Sequence, residues 1–316
     1  MTTASAYGSE LQPFAGITSF MRCPVSRDLT GVEVAVVGIP YDGGTSYRSG
    51  ARFGPRKIRE ASLMLWGYNN PLGVKPLDIL KVVDYGDVDV IPPSITDTMA
   101  NIEAEVGGIL SAGCAVISLG GDHSTSLPLL RAHARRFGPL ALVHFDSHPD
   151  TWDTEYGGRP YSHGTPFRRA LEEKIIDPHR YIQIGLRGPT SGVNDWQDAR
   201  DFGVRLITMD EAATLGLPAI LAAIRETVSG PTYVTLDIDA ADPAFAPGTG
   251  TPEVGGFTSH QLLQLVRGLN GLDLVGFDLV EVSPPYDHSD ITASLAANLA
   301  FEFLSLIAVK KMITGS

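Results

Sequence analysis

Cysteine is nearly absent: the 316 residues include only Cys23 and Cys114. Two such residues make no disulfide framework, and Cys114 lies in an apolar run with strand character, so a reducing compartment is expected. Basic residues are also scarce, with 24 Lys and Arg against 36 Asp and Glu, a formal charge of −12. That balance disfavours nucleic acid or an anionic membrane surface as partner and suits a cationic small molecule. No apolar run of transmembrane length is expected, and Met1 to Gln12 has neither the basic nor the apolar region of a secretion signal, so the expected location is cytoplasmic. No repeat of solenoid period and no low-complexity segment is found. The glycine-rich stretch Tyr41 to Pro55 has neither the Walker spacing nor G-x-G-x-x-G, which argues against nucleotide binding.

What is present is a core and a rhythm. The 43% hydrophobic content suffices for one large α/β domain over residues 1–316, with an N-terminal extension at 1–30 and the core at 31–310. Strand-like runs at Val32 to Ile39, Val82 to Val88, Ala115 to Leu119, Leu140 to Phe145, Tyr181 to Ile184, Arg205 to Thr208, Thr232 to Leu236 and Leu272 to Val280 alternate with helical patterns. Helices are expected from Pro55 to Leu63, from Ser94 to Leu110, up to Arg136 with Ser124 as its cap, and near Asn194 to Arg200. Three more are expected at Pro218 to Val228, Ser259 to Arg267 and Ile291 to Ile307.

The chain is organised around Leu142-Val143-His144-Phe145-Asp146-Ser147-His148-Pro149-Asp150, where an apolar run stops and metal-capable side chains follow at alternate positions. In a parallel sheet, residues just past a strand's carboxyl end face the crevice in which ligands bind. Two other runs end alike, one in Gly120-Gly121-Asp122-His123-Ser124 and one in Asp237-Ile238-Asp239-Ala240-Ala241-Asp242-Pro243. Asp122 and His123 read alone as a capped turn. Asp237 and Asp239 share a face if the strand continues, about 7 Å apart. His123, Asp146, His148, Asp150, Asp237 and Asp239 together exceed the needs of one ion and suit two divalent ions roughly 3.5–4 Å apart. A hydroxide held between them would be a nucleophile at neutral pH, so hydrolysis is the natural reaction class. Glu281 ends the last strand on the same face. His144 is expected to face away from Asp146, and His133, His179, His260 and His288 are read as structural or surface groups.

At these motifs the chain resembles the ureohydrolase family of arginases, agmatinases and guanidinobutyrases, from the Gly43 loop to the terminal helix. The resemblance implies a three-layer α/β/α fold with a mainly parallel sheet. It implies one ion held by His123, Asp146, Asp150 and Asp237 and a second by His148, Asp146, Asp237 and Asp239, manganese being usual and nickel used by some relatives. It also implies trimers or hexamers. By the same likeness Glu281 binds the guanidinium of a small guanidino substrate and His163 shuttles protons, while Asp150 would relay a proton to the departing amine. Urea and a primary amine are the products.

Trp152 stands where arginases place Asn, which speaks against arginine. Arg48, Arg52 or Arg159 would receive the carboxylate of a guanidino acid, and Asp153 or Glu155 the ammonium of agmatine. The reading is an agmatinase-like enzyme with guanidinobutyrase or guanidinopropionase as the alternative. From other classes, a single-zinc deacetylase would need neither His123 nor Asp150 and would have a His-His dyad, a binuclear phosphoesterase would have its motifs in another order, and a non-catalytic partner subunit would have lost ligands.

Overall fold

The computed structural model describes residues 12–315. In chain order the regular elements are β1 (Val34–Gly38), α1 (Gly54–Ser62), α2 (Pro76–Ile79), β2 (Val82–Asp87), α3 (Ile95–Ser111), β3 (Ala115–Leu119), α4 (Ser126–Phe137) and β4 (Leu140–Phe145). They continue with α5 (Pro166–Glu172), β5 (Ile176–Leu186), α6 (Asn194–Phe202), β6 (Arg205–Thr208), α7 (Met209–Thr227), β7 (Thr232–Asp237), α8 (Ser259–Gly268), β8 (Leu274–Val280) and α9 (Ile291–Thr314). All the strands pair in parallel, in the order β2-β1-β3-β8-β7-β4-β5-β6.

Parallel strands covered on both faces must be apolar on both, and these are. Val34 and Val36 join Ile117, Val143, Phe145 and Val234 under α1, α7, α8 and α9, whereas Ala35 and Val37 join Val116, Leu142 and Tyr233 under α3, α4, α5 and α6. The alternation is the period-2 pleat, and it yields three layers.

The topology positions the site. β3 and β4 are not neighbours; β8 and β7 enter later and fill the gap between them. Four adjacent strands therefore present their carboxyl ends side by side, carrying in order His123, Glu281, Asp237 with Asp239, and Asp146 with its loop.

Several expectations change. The stretch expected to be an extension at 1–30 contributes Phe20, Met21 and Cys23 to the core, with Phe20 N donating to Asp84 Oδ2 at 2.8 Å; residues 1–11 lie outside the described residues. α7 begins nine residues before Pro218 at a Thr208/Glu211 capping box and breaks at Gly216, whose φ of +73° only a glycine adopts readily. α9 runs on to Thr314, and among the described residues it is the one helix long and apolar enough to cross a membrane, which corrects the expectation of no such run. Most of it is buried, as a core helix between the sheet and α1 and α8 must be.

Candidate metal centre

β3 ends at Leu119, and Gly120-Gly121 lets the chain pass so close to the loop after β1 that a Cβ on Gly121 would overlap the Tyr41 carbonyl. His123 then opens a short 3-10 turn, His123–Thr125. The cap expected of Ser124 is made instead by Asp122, whose Oδ1 accepts from Ser124 N at 3.0 Å. Asp122 Oδ2 accepts from Gly44 N at 2.6 Å, so this carboxylate pins the glycine loop to the site and stands outside the cluster itself. After β4, Asp150 takes a left-handed backbone (φ +46°), an uncommon conformation that turns its side chain back toward His123. After β7 the chain does not stay extended: Ile238–Ala240 is a 3-10 turn, and Asp239 N donates to Asp237 Oδ1 at 2.8 Å. The two aspartates meet through that turn and not by strand pleating, which corrects the expected geometry.

The structure brings the six predicted side chains together. His123 Nδ1 lies 3.1 Å from Asp146 Oδ2, 2.9 Å from Asp150 Oδ2 and 3.4 Å from Asp237 Oδ2. His148 Nδ1 lies 3.1 Å from Asp239 Oδ2 and 3.6 Å from Asp146 Oδ1. Asp146 thus faces both imidazoles. Burial disfavours charge on Asp150 and, with nearby Asp146, raises its pKa to about 6; burial, Asp239 and Asp146 raise that of Asp237 well above the carboxylate range. Burial opposes a proton on His123 and His148 too, yet the surrounding carboxylates raise both well above the ordinary histidine value. Carboxylates gathered this closely require compensating positive charge, from protons or from metal ions.

Hydrogen bonds behind the cluster orient it. Thr235 Oγ1 donates to Asp278 Oδ1 (2.6 Å), which also receives Tyr233 OH on Oδ2 (2.9 Å). With its proton so committed, Thr235 accepts from His123 Nε2–H at 2.9 Å, leaving Nδ1 aimed at the carboxylates. His144 does not face away from Asp146: residues two apart on a strand share a face, and His144 Nε2 contacts Asp146 Oδ2 at 2.7 Å. Its Nδ1 meets Tyr181 OH at 2.9 Å, and Gln183 Nε2 donates to that hydroxyl at 2.6 Å. Ser147 N and Oγ hold Asp239 Oδ1 at 3.1 and 2.7 Å. The sequence reading missed Thr235, Asp278 and His144, although their signal was there: polar residues inside strands otherwise apolar.

Glu281, at φ +62°, accepts from His123 N (3.0 Å) and contacts His163 Nδ1 (3.1 Å), both through Oε1. Its Oε2 is buried and has no hydrogen-bond partner among the described residues. His163 Nε2 meets Ser46 Oγ at 2.8 Å; burial opposes a charge on the ring, but Glu281 and the nearby Asp150 and Asp122 outweigh it and raise its pKa to about 9.

At the mouth, Arg52 is taken up by an ion pair with Asp42, Asp153 is exposed and paired with Arg169, and Glu155 accepts from Ser162 Oγ. Trp152 packs on Gly164, beside His163, and Arg159 is exposed. The Arg48 guanidinium lies over the Tyr47 and Tyr286 rings at 5.4 and 5.1 Å. A Cβ on Gly250 would lie 2.9 Å from Arg48 O and 3.7 Å from Glu281 Oε2, so the backbone at Arg48 and the Glu281 carboxylate both lie close to Gly250.

Among the described residues His123 Nδ1 and Asp239 Oδ2 are buried without a hydrogen-bond partner; His123 Nδ1 faces carboxylate oxygens and Asp239 Oδ2 faces His148 Nδ1, so a proton or a metal ion must lie between the members of each pair. Mixed imidazole and carboxylate donors are the set that first-row divalent ions prefer, so the residues fit a metal site. The fold and site together define a metal-binding α/β/α protein whose donors lie at the carboxyl ends of a parallel sheet. More particularly, the chain belongs to the arginase family, whose model matches residues 32–305. It is 49% identical over 301 residues to the guanidinopropionase of Pseudomonas aeruginosa, covering 95% of this chain and 94% of that one. It is 45% identical over 299 residues to the mitochondrial agmatinase of Gallus gallus, covering 94% and 88%. Among solved structures, the proclavaminate amidino hydrolase of Streptomyces clavuligerus superposes with a TM-score of 0.91 at 44% identity over 95% of this chain and 99% of that one.

Proposed function

We propose that this amidinohydrolase cleaves a guanidino acid to urea and an amino acid at a pair of divalent ions, with Arg48 receiving the substrate's carboxylate. Within the enzyme class the open question is the tail, and one observation supports the reading. The acids at the mouth that would attract an ammonium tail are engaged, Asp153 by Arg169 and Glu155 by Ser162, whereas Arg48 makes no ion pair among the described residues. A guanidinium without an ion pair, on a residue whose backbone lies near Gly250 and Glu281, favours a substrate with a carboxylate at its far end. The name of the guanidinopropionase relative agrees with that choice.

His123, Asp146, Asp150 and Asp237 would hold one ion, and His148, Asp146, Asp237 and Asp239 the other, manganese being the expected metal. When bound, the ions supply an activated water and offset the charge that develops on the substrate. The remaining work falls to the chain. Glu281 presents Oε2 to the guanidinium, its Oε1 being already occupied by His123 N and His163, and so orients the central carbon toward the cluster. Asp150, through the carboxylate oxygen not given to the metal, would relay the proton of the attacking water to the departing amine nitrogen, and His163 would exchange protons with solvent near the Ser46 hydroxyl. The resemblance further supports a cytoplasmic trimer or hexamer, which size-exclusion chromatography with light scattering would test.

The test is urea release by the manganese-loaded protein from 3-guanidinopropionate, 4-guanidinobutyrate, agmatine and arginine, repeated with nickel. The expected result is turnover of a guanidino acid above agmatine, with Arg48→Gln lowering kcat/KM for the acid by about 1.5–3 kcal/mol, the worth of a hydrogen bond to a charged group. Preference for agmatine would overturn the assignment of the tail.

A further inference from the structure

Arg187 follows directly on β5 and is 8% exposed, yet no carboxylate of the described residues lies within ion-pair distance of it. Its guanidinium is ringed by backbone carbonyls. Nη2 donates to Asp239 O (2.6 Å), Glu253 O (2.8 Å) and Ala241 O (3.1 Å); Nη1 donates to Gly185 O (3.1 Å) and Ala240 O (3.4 Å); Nε donates to Val254 O (3.2 Å) and Glu253 O (3.3 Å). Its own N–H donates to Ser147 O at 3.0 Å.

The acceptor set is informative. On an extended strand successive carbonyls point to opposite sides, so one cation cannot collect three in a row. The carbonyls of Asp239, Ala240 and Ala241 converge because the chain leaves the strand at Asp237 and enters the 3-10 turn. The same departure carries Asp239 back to Asp237 and against Ser147. Gly256 closes the ring from the far side, where a Cβ would run into Arg187 Nη2 and the Asp242 backbone.

We propose that Arg187 is a positioning residue that clamps the turn bearing Asp239 and so forms one half of the metal centre before any ion binds. The clamp rests on the two-ion reading above. In that reading Asp239 and His148 serve one ion only, so removing the clamp acts on one ion and spares the other. A planar fork with five donors spans seven contacts to six carbonyls; an ammonium with three donors does not.

The experiment is a titration of the metal-free full-length protein with Mn(II), following free ion by its paramagnetic resonance spectrum and the bound ions by their mutual coupling. The wild type is expected to bind two coupled ions. Arg187→Met should keep one ion at nearly wild-type affinity and weaken the second about tenfold to a hundredfold, so that an uncoupled signal appears at one equivalent; Arg187→Lys should fall between. A general loss of structure would weaken both ions together, and that result, or two unchanged ions in the variants, overturns the clamp while leaving the two-ion reading intact. Where Arg187→Met does not fold, Arg187→Lys and Gly256→Ala carry the same test. A wild type that binds one ion overturns the two-ion reading and the clamp with it.

Discussion

The two ends of the parallel sheet differ in what they leave open. At the amino ends, under the last turns of α9, lies a cavity of about 660 Å³ lined by Leu80, Val116, Leu274, Phe303, Leu306 and Ile307. Its charged rim is already paired, Lys310 with Asp273 and Lys311 with Glu33. At the carboxyl ends His123 Nδ1, Asp239 Oδ2 and Glu281 Oε2 are buried with no hydrogen-bond partner among the described residues. Volume marks where packing is loose; unsatisfied polar atoms mark where a ligand is needed. The chemistry therefore belongs to the carboxyl ends.

Substitutions at each end should separate these roles. The largest effect is expected from Asp237→Ala, which removes a carboxylate proposed to face both ions: activity should fall by at least about a hundredfold, more than an outer hydrogen-bond partner costs, with the circular dichroism spectrum retained. Full activity would return the cluster to a structural role. Glu281→Gln should leave metal content unchanged while lowering kcat/KM by about 2–5 kcal/mol, since it removes one partner of a buried charged contact. At the opposite end, Leu306→Ala should lower unfolding free energy by roughly 2–5 kcal/mol in denaturant titration while kcat and bound metal stay the same. A loss of metal there would show that the two ends are coupled.

The smallest effect is on pH. In the metal-free chain Asp150 titrates near 6, and Asp237 well above the ordinary carboxylate value, so below those values protons occupy the donors. Metal must displace them, and affinity falls as the solution is acidified. His123 and His148, held protonated above the ordinary histidine range, must lose their protons as well, so manganese binding should weaken by about tenfold per pH unit for each proton displaced as the solution is acidified from about pH 8 to 5, measured by competition with a chelator. Affinity independent of pH between 5 and 8 would contradict the charge balance described for the cluster.

The same contrast explains what could be read in advance. Buried parallel strands are apolar runs that stop abruptly, so Ala115 to Leu119 and Leu140 to Phe145 were visible residue for residue, and the acids after them stood out. α5 was not, because Pro166–Glu172 is one short helix between a loop and a strand with no long pattern to mark it. His144 was misassigned by a parity error that the pleat corrects. Arg187 was invisible for a deeper reason: it follows β5 but acts on the chain leaving β7, and the strand order that brings those two ends near each other is a fact of topology that local pattern does not carry. Arg187 also makes its contacts with carbonyls, which every residue has, so no side-chain motif announces them.

Whether the carboxyl-end cluster is a binuclear hydrolytic centre is read most simply from the metal content of the purified manganese-loaded protein. A binuclear centre gives about two ions per chain, falling on Asp237→Ala; one zinc ion, or none, in a folded chain would rule it out.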